Sequence, residues 1–205
     1  MGQVRQMSFK FREHIATGIS WHDIMKIDAM QRFPKYVAST TKVVISDCDG
    51  ILTDSKSLYT EDGKFAKSYG AYDKEMMEFM LDLGWRFIFV TTDKAGAAIT
   101  DSRLTHLEKI DPKKITHQVL GARERAKLVE NLVADGCKVL FVGDSLSDIE
   151  SLNVATWAAT TANAPDIVKK YCDYASELCG GSGGFADILY AVHEEIMNHP
   201  SVGWF

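Results

Sequence analysis

Residues 43–54, Val-Val-Ile-Ser-Asp-Cys-Asp-Gly-Ile-Leu-Thr-Asp, join a short apolar run to a pair of carboxylates. Val43, Val44 and Ile45 have the length and β-branched character of a buried strand, and Gly50 breaks it. Asp47 and Asp49 therefore stand at the strand's carboxyl end, where open α/β sheets bind their ligands. Two acids one residue apart at that edge suit the holding of a hard cation and the attack on, or protonation of, a phosphoryl group. A solvated Asp-x-Asp-Gly turn has the same local sequence, so the rest of the chain has to decide between the two.

The rest of the chain alternates strand and helix. Apolar runs at 85–90, 138–142 and 155–160 read as strands, as does a short segment at 114–120. Helical spacing of apolar residues marks 73–83, 95–107, 123–134, a short stretch at 147–152 and a closing helix at 185–197, with another helix starting near Pro165. This order predicts βαβ units and a doubly wound parallel sheet. Asp62-Gly63, between two alternating segments, predicts a β-hairpin placed just past the acids as a flap. The Met-rich stripe of Met76, Met77 and Met80 fits a core face, closed by Gly84 as a helix stop. Residues 1–40 read as a helical N-terminal extension, with Ser20 as an N-cap and Trp21, Ile24, Met25, Ile27 and Met30 on one apolar face. Residues 41–205 then form the domain that carries the chemistry.

Composition narrows the function. No run approaches the roughly 18 apolar residues of a membrane span, and the opening residues have no apolar stretch of the kind a secretory signal needs. The formal net charge is −5 with Lys and Arg scattered, which argues against a nucleic-acid surface. Cys48, Cys137, Cys172 and Cys179 form neither a CxxC pair nor a zinc spacing. A reduced, cytoplasmic protein with no nucleic-acid or membrane partner is the expectation.

Polar groups recur at the other strand ends. Thr91 and Thr92 follow the strand at 85–90, where a hydroxyl could bind a phosphoryl oxygen. On the helix at 123–134, Arg125 and Lys127 are candidate cations for the charge that phosphoryl transfer develops; Lys127 is preferred, as Arg and Lys are not interchangeable at a point contact. Gly143-Asp144-Ser145-Leu146-Ser147-Asp148 places Asp144 at the sheet edge and Asp148 about one turn on. Asp148 is either a metal ligand, a support for the site or a cap of its helix.

Taken in order, Asp47-Cys48-Asp49-Gly50-Ile51-Leu52-Thr53-Asp54, Thr91, the cation on the helix at 123–134 and Gly143-Asp144 resemble motifs I to IV of the haloacid dehalogenase (HAD) superfamily. The resemblance spans residues 42 to about 196. About forty residues separate the first two motifs, which leaves room for a hairpin and one helix but no cap domain. The Glu61-Asp62-Gly63 turn and the loop Gly180-Gly181-Ser182-Gly183-Gly184 are further similar to the capless 3-deoxy-D-manno-octulosonate 8-phosphate (KDO 8-P) phosphatases. The resemblance implies a Rossmann-like phosphomonoesterase that uses Mg²⁺, in a homotetramer whose glycine loop sits near a neighbouring subunit's site. It implies Asp47 as nucleophile, Asp49 as general acid and base, and Thr91, Thr92 and Lys127 on the phosphate. Asp47, the carbonyl of Asp49 and Asp144 would take the metal. The implied substrate is a sugar-acid phosphate; other readings are a nucleotide or another small phosphate, or a catalytically idle scaffold. Three positions depart from that family: Thr91-Thr92-Asp93 stands for Thr-Gly-Arg, Tyr72-Asp73-Lys74 for Arg-Asp-Gly, and Gly143-Asp144-Ser145 for Gly-Asp-Asp. At the first, an acid replaces a guanidinium.

Overall fold

The strand that carries the two acids, β1 (Lys42–Asp47), is buried along its whole length. The computed structural model describes residues 41–94 and 97–198, so the extension expected over 1–40 lies outside the described residues. After β1 come the hairpin strands β2 (Ser57–Thr60) and β3 (Gly63–Lys67), then α1 (Tyr72–Asp82), β4 (Arg86–Thr91), α2 (Ala97–Glu108), β5 (Ile115–Val119) and α3 (Ala122–Ala134). The second half runs β6 (Lys138–Val142), a single 3₁₀ turn (Leu146–Asp148), α4 (Ile149–Val154), β7 (Trp157–Thr160), α5 (Asp166–Lys169), β8 (Tyr174–Ala175) and α6 (Gly184–Asn198). Helix and strand limits fall within a few residues of those the spacing predicts.

Six strands form one parallel sheet in the order β5-β4-β1-β6-β7-β8. Register is set by residues that point alternately to two cores. Val44 lies level with Phe87 on β4 and Leu140 on β6. All three belong to the core shared with α1, α2 and α6, which adds Met77, Met80, Leu104, Phe185 and Ile188. Val43 and Ile45, with Val90, Val139 and Phe141, face the other core, against Val129 of α3, Leu152 of α4 and Val168 of α5. A strand covered on both sides has no polar face to show, which is why the central strands β1 and β6 read as apolar runs, whereas the edge strand β5 is exposed at Thr116, Gln118 and Val119. Each large buried side chain contributes roughly 1.5–3 kcal/mol relative to exposure.

Strand order positions the site. From β1 the chain steps outward through β4 to β5, then returns to the other side of β1 and continues through β6, β7 and β8. The order reverses between β1 and β6, and in such sheets a crevice opens there beyond the carboxyl ends of the strands. Asp47 ends β1, and Asp144 follows β6 by two residues.

The hairpin stands apart from the sheet as a two-stranded antiparallel ribbon, with a bulge between Leu58 and Tyr59. Gly63 takes φ +118° at the turn, a conformation that a side chain would strain. Leu58, Tyr59 and Phe65 are exposed. An isolated two-stranded ribbon is marginal in water, so whatever fastens this one decides where it lies.

Candidate active site

Beyond β1 the chain makes a tight loop. Leu52 N–H donates to the Cys48 carbonyl (2.9 Å). Gly50 takes φ +87°, and its N–H and that of Ser55 both donate to Thr53 Oγ1 (3.2 and 3.3 Å). The Gly50 carbonyl accepts from Thr161 Oγ1 (2.8 Å) and from Asn163 Nδ2 (3.0 Å). Asn163 Oδ1 in turn accepts the Gly180 N–H (2.7 Å), and Gly181 N–H donates to the Ile51 carbonyl (3.3 Å). The glycine loop thus packs on the acid-bearing loop of its own chain.

Asp47 is 8% exposed. Oxygens of Asp47, Asp144 and Asp148 all lie within 4.8 Å of one another. Burial first, then the charge of Asp148, holds the Asp47 carboxyl well above the usual carboxylate range, against the pull of Arg125. Burial and Asp148 likewise push Asp144 up to about 6, partly countered by the hydrogen bond from Ser55 Oγ to its Oδ2 (3.2 Å).

The cation of this cluster is Arg125. Its side chain is fully buried, with Nη1 3.5 Å from Asp47 Oδ1 and ion-paired with Asp148 Oδ1, while Nε donates to the Leu120 carbonyl (3.4 Å). This corrects the expectation for Lys127, whose ammonium is on the outer face of α3, largely exposed and paired with Glu130 (3.2 Å). The helix geometry explains the difference. Arg125 and Val129 are four residues apart on the inward face, whereas Lys127 lies between them and points away.

Asp148 has both oxygens engaged: Oδ1 by Arg125, and Oδ2 by the N–H (3.0 Å) and Oγ (2.7 Å) of Ser145. It braces the cluster as well as ending the 3₁₀ turn. Thr91 is buried at the end of β4, and its Oγ1 accepts the Asp93 N–H (3.1 Å); Thr92 is exposed beside it.

Asp49 projects from the loop with its side chain one-third exposed. Thr53 Oγ1 donates to its Oδ1 at 3.5 Å, and Lys67 Nζ donates to its Oδ2 at 2.7 Å. Lys67 is the last residue of β3, and its side chain is 0% exposed. Its ammonium also reaches Asp93 Oδ2 (2.7 Å) and Thr100 Oγ1 (2.8 Å). Burial works to lower the Lys67 pKa, but the bonds to Asp49 and Asp93 outweigh it and raise it. Lys64, on the same strand, pairs with Asp93 Oδ2 at 2.6 Å. Sequence reasoning missed this cluster and the Thr161–Asn163 clamp. In the cluster, two lysines of the hairpin face the acid Asp93.

The donor set fits a hard divalent ion. Three carboxylates meet with one guanidinium among them, and such unbalanced negative charge calls for a cation that prefers oxygen. Asp47, Asp144 and Asp148 each offer an oxygen close enough to the others to share one ion. None of the four cysteines is in a disulfide, and Cys48 is buried with its thiol pushed well up by burial and by Asp47 and Asp49. No helix among the described residues is long and apolar enough to cross a membrane.

No family model matches the chain, and no curated protein does either. Solved structures do match. The cobalt-bound deoxy-D-mannose-octulosonate 8-phosphate phosphatase of Haemophilus influenzae is 22% identical and superposes with a TM-score of 0.65, over 76% of this chain and 88% of its own. The 3-deoxy-D-manno-octulosonate 8-phosphate phosphatase of Moraxella catarrhalis, in complex with magnesium, phosphate and KDO, is 21% identical with a TM-score of 0.65, over 80% and 92% of the two chains. A putative HAD superfamily (subfamily III A) hydrolase from Legionella pneumophila is 19% identical, also at 0.65, over 86% and 92%. The fold of this chain is that of the haloacid dehalogenase-type hydrolases.

Proposed function

We propose that the protein is a metal-dependent phosphomonoesterase that works through an aspartyl-phosphate. The observation that carries this reading is the meeting of Asp47, Asp144 and Asp148 at the reversal point of the sheet, with Asp49 two residues beyond Asp47 on the solvent side. Asp47 attacks phosphorus, the bond to the ester oxygen breaks, and the alcohol leaves with a proton from Asp49. Asp49, now a carboxylate, takes a proton from water as that water attacks the aspartyl-phosphate, releasing phosphate and regenerating Asp47. Thr91 and Thr92, at the carboxyl end of β4, would offer hydroxyls and backbone N–H groups to the phosphoryl oxygens. Arg125 balances the charge of Asp47 in the role expected of Lys127. Mg²⁺, held by Asp47, Asp144 and the Asp49 carbonyl, would neutralise charge on the phosphoryl group when bound.

Substrates of such a site are small phosphomonoesters. The sugar-acid phosphate that the resemblance implies is one member of that class, and nucleotides are another. A homotetramer and a cytoplasmic location belong to the same proposal, and sedimentation of the purified chain tests the first. The activity test is phosphate release from a phosphomonoester panel with Mg²⁺ or with EDTA, wild type beside Asp47→Asn. Turnover that needs metal and is lost in the variant is the expected result. No turnover on any ester, by folded protein that binds Mg²⁺, would move the assignment to a binding scaffold.

A further inference from the structure

Asp49 is the group proposed to meet the leaving alcohol, so the side chains around it line the leaving-group side of the site. On that side stand two ammonium groups, Lys64 and Lys67, both from β3 of the hairpin. Two lysines beside a general acid would ordinarily attract a leaving group with its own negative charge. Here they are already matched. Lys67 Nζ has three N–H donors, and three acceptors surround it: Asp49 Oδ2 at 2.7 Å, Asp93 Oδ2 at 2.7 Å and Thr100 Oγ1 at 2.8 Å. Lys64 Nζ sits 2.6 Å from the same Asp93 oxygen, with its side chain 11% exposed. With Asp49 as a carboxylate, two cations and two carboxylates sum to zero; when Asp49 carries the proton it delivers, Asp93 still offsets one of the two positive charges.

We infer that Asp93 is a specificity-determining residue: by pairing with both Lys64 and Lys67 it makes the leaving-group side of the site select phosphomonoesters of uncharged alcohols over those bearing a carboxylate. The inference rests on the phosphatase reading and narrows its substrate class. A carboxylate brought to this cluster would meet lysines that already share Asp93, and it would face that negative residue at short range. Discrimination of this kind works by repulsion as much as by attraction. The same ion cluster fastens the exposed hairpin over Asp49, tying β3 to the end of β4 and to α2 through Thr100. A hydroxyl-bearing leaving group can exchange hydrogen bonds with such a cluster without disturbing its charge.

Glycerol 3-phosphate and 3-phosphoglycerate test this, because they differ by a hydroxymethyl against a carboxylate at the end remote from phosphorus. p-Nitrophenyl phosphate serves as the common reference ester. The wild type is expected to show a kcat/KM for glycerol 3-phosphate about tenfold or more above that for 3-phosphoglycerate. Asp93→Asn releases the lysines and should narrow or invert that ratio by about tenfold. Adding Lys64→Gln to Asp93→Asn removes one released cation and should return part of the preference. A wild type that favours 3-phosphoglycerate overturns the inference. So does a ratio that stays constant through both variants while their rates fall together, since that marks Asp93 as a fastener of the hairpin alone. Absence of wild-type turnover on all three esters overturns the phosphatase reading and this inference with it.

Discussion

The carboxylate of Asp144 lies against the Cα of Gly50: a methyl group placed on that glycine would come within 1.7 Å of Asp144 Oδ2. The loop that carries Asp49 and the acid that follows β6 are therefore fitted to each other at a point where no side chain has room, and the positive φ of Gly50 adds a conformational demand.

Gly50→Ala should accordingly displace one of the two acids. The left-handed backbone alone costs about 1–2 kcal/mol, and a shift of about 1 Å in a reacting group lowers turnover about a hundredfold. Gly63→Ala is the control. It also has positive φ, but nothing lies near its added methyl group, so it should cost about 1 kcal/mol and leave metal binding intact. Denaturation curves and Mg²⁺ titration of the two variants check the contrast.

Arg125 and Lys127 should behave oppositely. Removing the Arg125 guanidinium strands Asp47 and Asp148 in a buried site, and breaking a buried pair in this way costs about 3–5 kcal/mol. Arg125→Met should thus melt well below the wild type. Lys127→Ala removes an exposed ion pair with Glu130, whose contribution is about 0–1 kcal/mol, and the proposed phosphate release should stay within about twofold of wild type, as is usual for a surface change. Thermal melts and phosphate release decide it. A large loss in Lys127→Ala would reverse the assignment of the cation.

Asp73 predicts a pH dependence of stability. It is 2% exposed, its Oδ1 has no hydrogen-bond partner, and burial pushes its pKa up to about 7. Because the folded pKa is raised above the unfolded value, folding takes up a proton here. The stabilisation is fully present below about pH 4 and is lost as pH rises through about 7, with at most about 4 kcal/mol at stake. Asp73→Asn, which cannot ionise, should lose less stability than the wild type between pH 5 and 8. Urea denaturation across that range measures the difference.

Asn163 bridges two loops, donating to the Gly50 carbonyl and accepting from Gly180. Asn163→Ala leaves a partly buried N–H without its acceptor, at a cost of about 1–3 kcal/mol. Thr161 still holds the Gly50 carbonyl, so the fold should survive. The loss should fall on kcat more than on KM, because the variant loosens the loop that aims Asp49. Steady-state kinetics at saturating Mg²⁺ would show this, and an equal effect on stability alone would not.

Much of this arrangement was legible in the sequence because it depends on local pattern. Strands buried on both faces leave apolar runs, and a polar residue stands at or just past the end of each: Asp47, Thr91, Asp144. The hairpin followed from Asp62-Gly63. What could not be read was contact between distant segments. Helical phase separates Arg125 from Lys127 by two residues, and only the packing of α3 on the sheet shows which one turns inward. Lys67 meets Asp49 and Asp93 because a ribbon folds back over the sheet edge, and no spacing encodes that approach. The glycine loop lies on residues 50–54 of its own chain. Its composition announces close backbone approach but not to which backbone.

β1 comes first in the sheet's chain order yet sits in its middle, between strands that appear much later. During synthesis the acid pair therefore emerges well before β6 exists to flank it or Asp144 to oppose it. The repulsion among the three carboxylates arises only when the last central strand docks, and such long-range pairings form slowly. A chain interrupted ahead of β6 would carry Asp47 and Asp49 without Asp144 or Asp148, so the proposed activity would report completion of the sheet rather than possession of its leading segment.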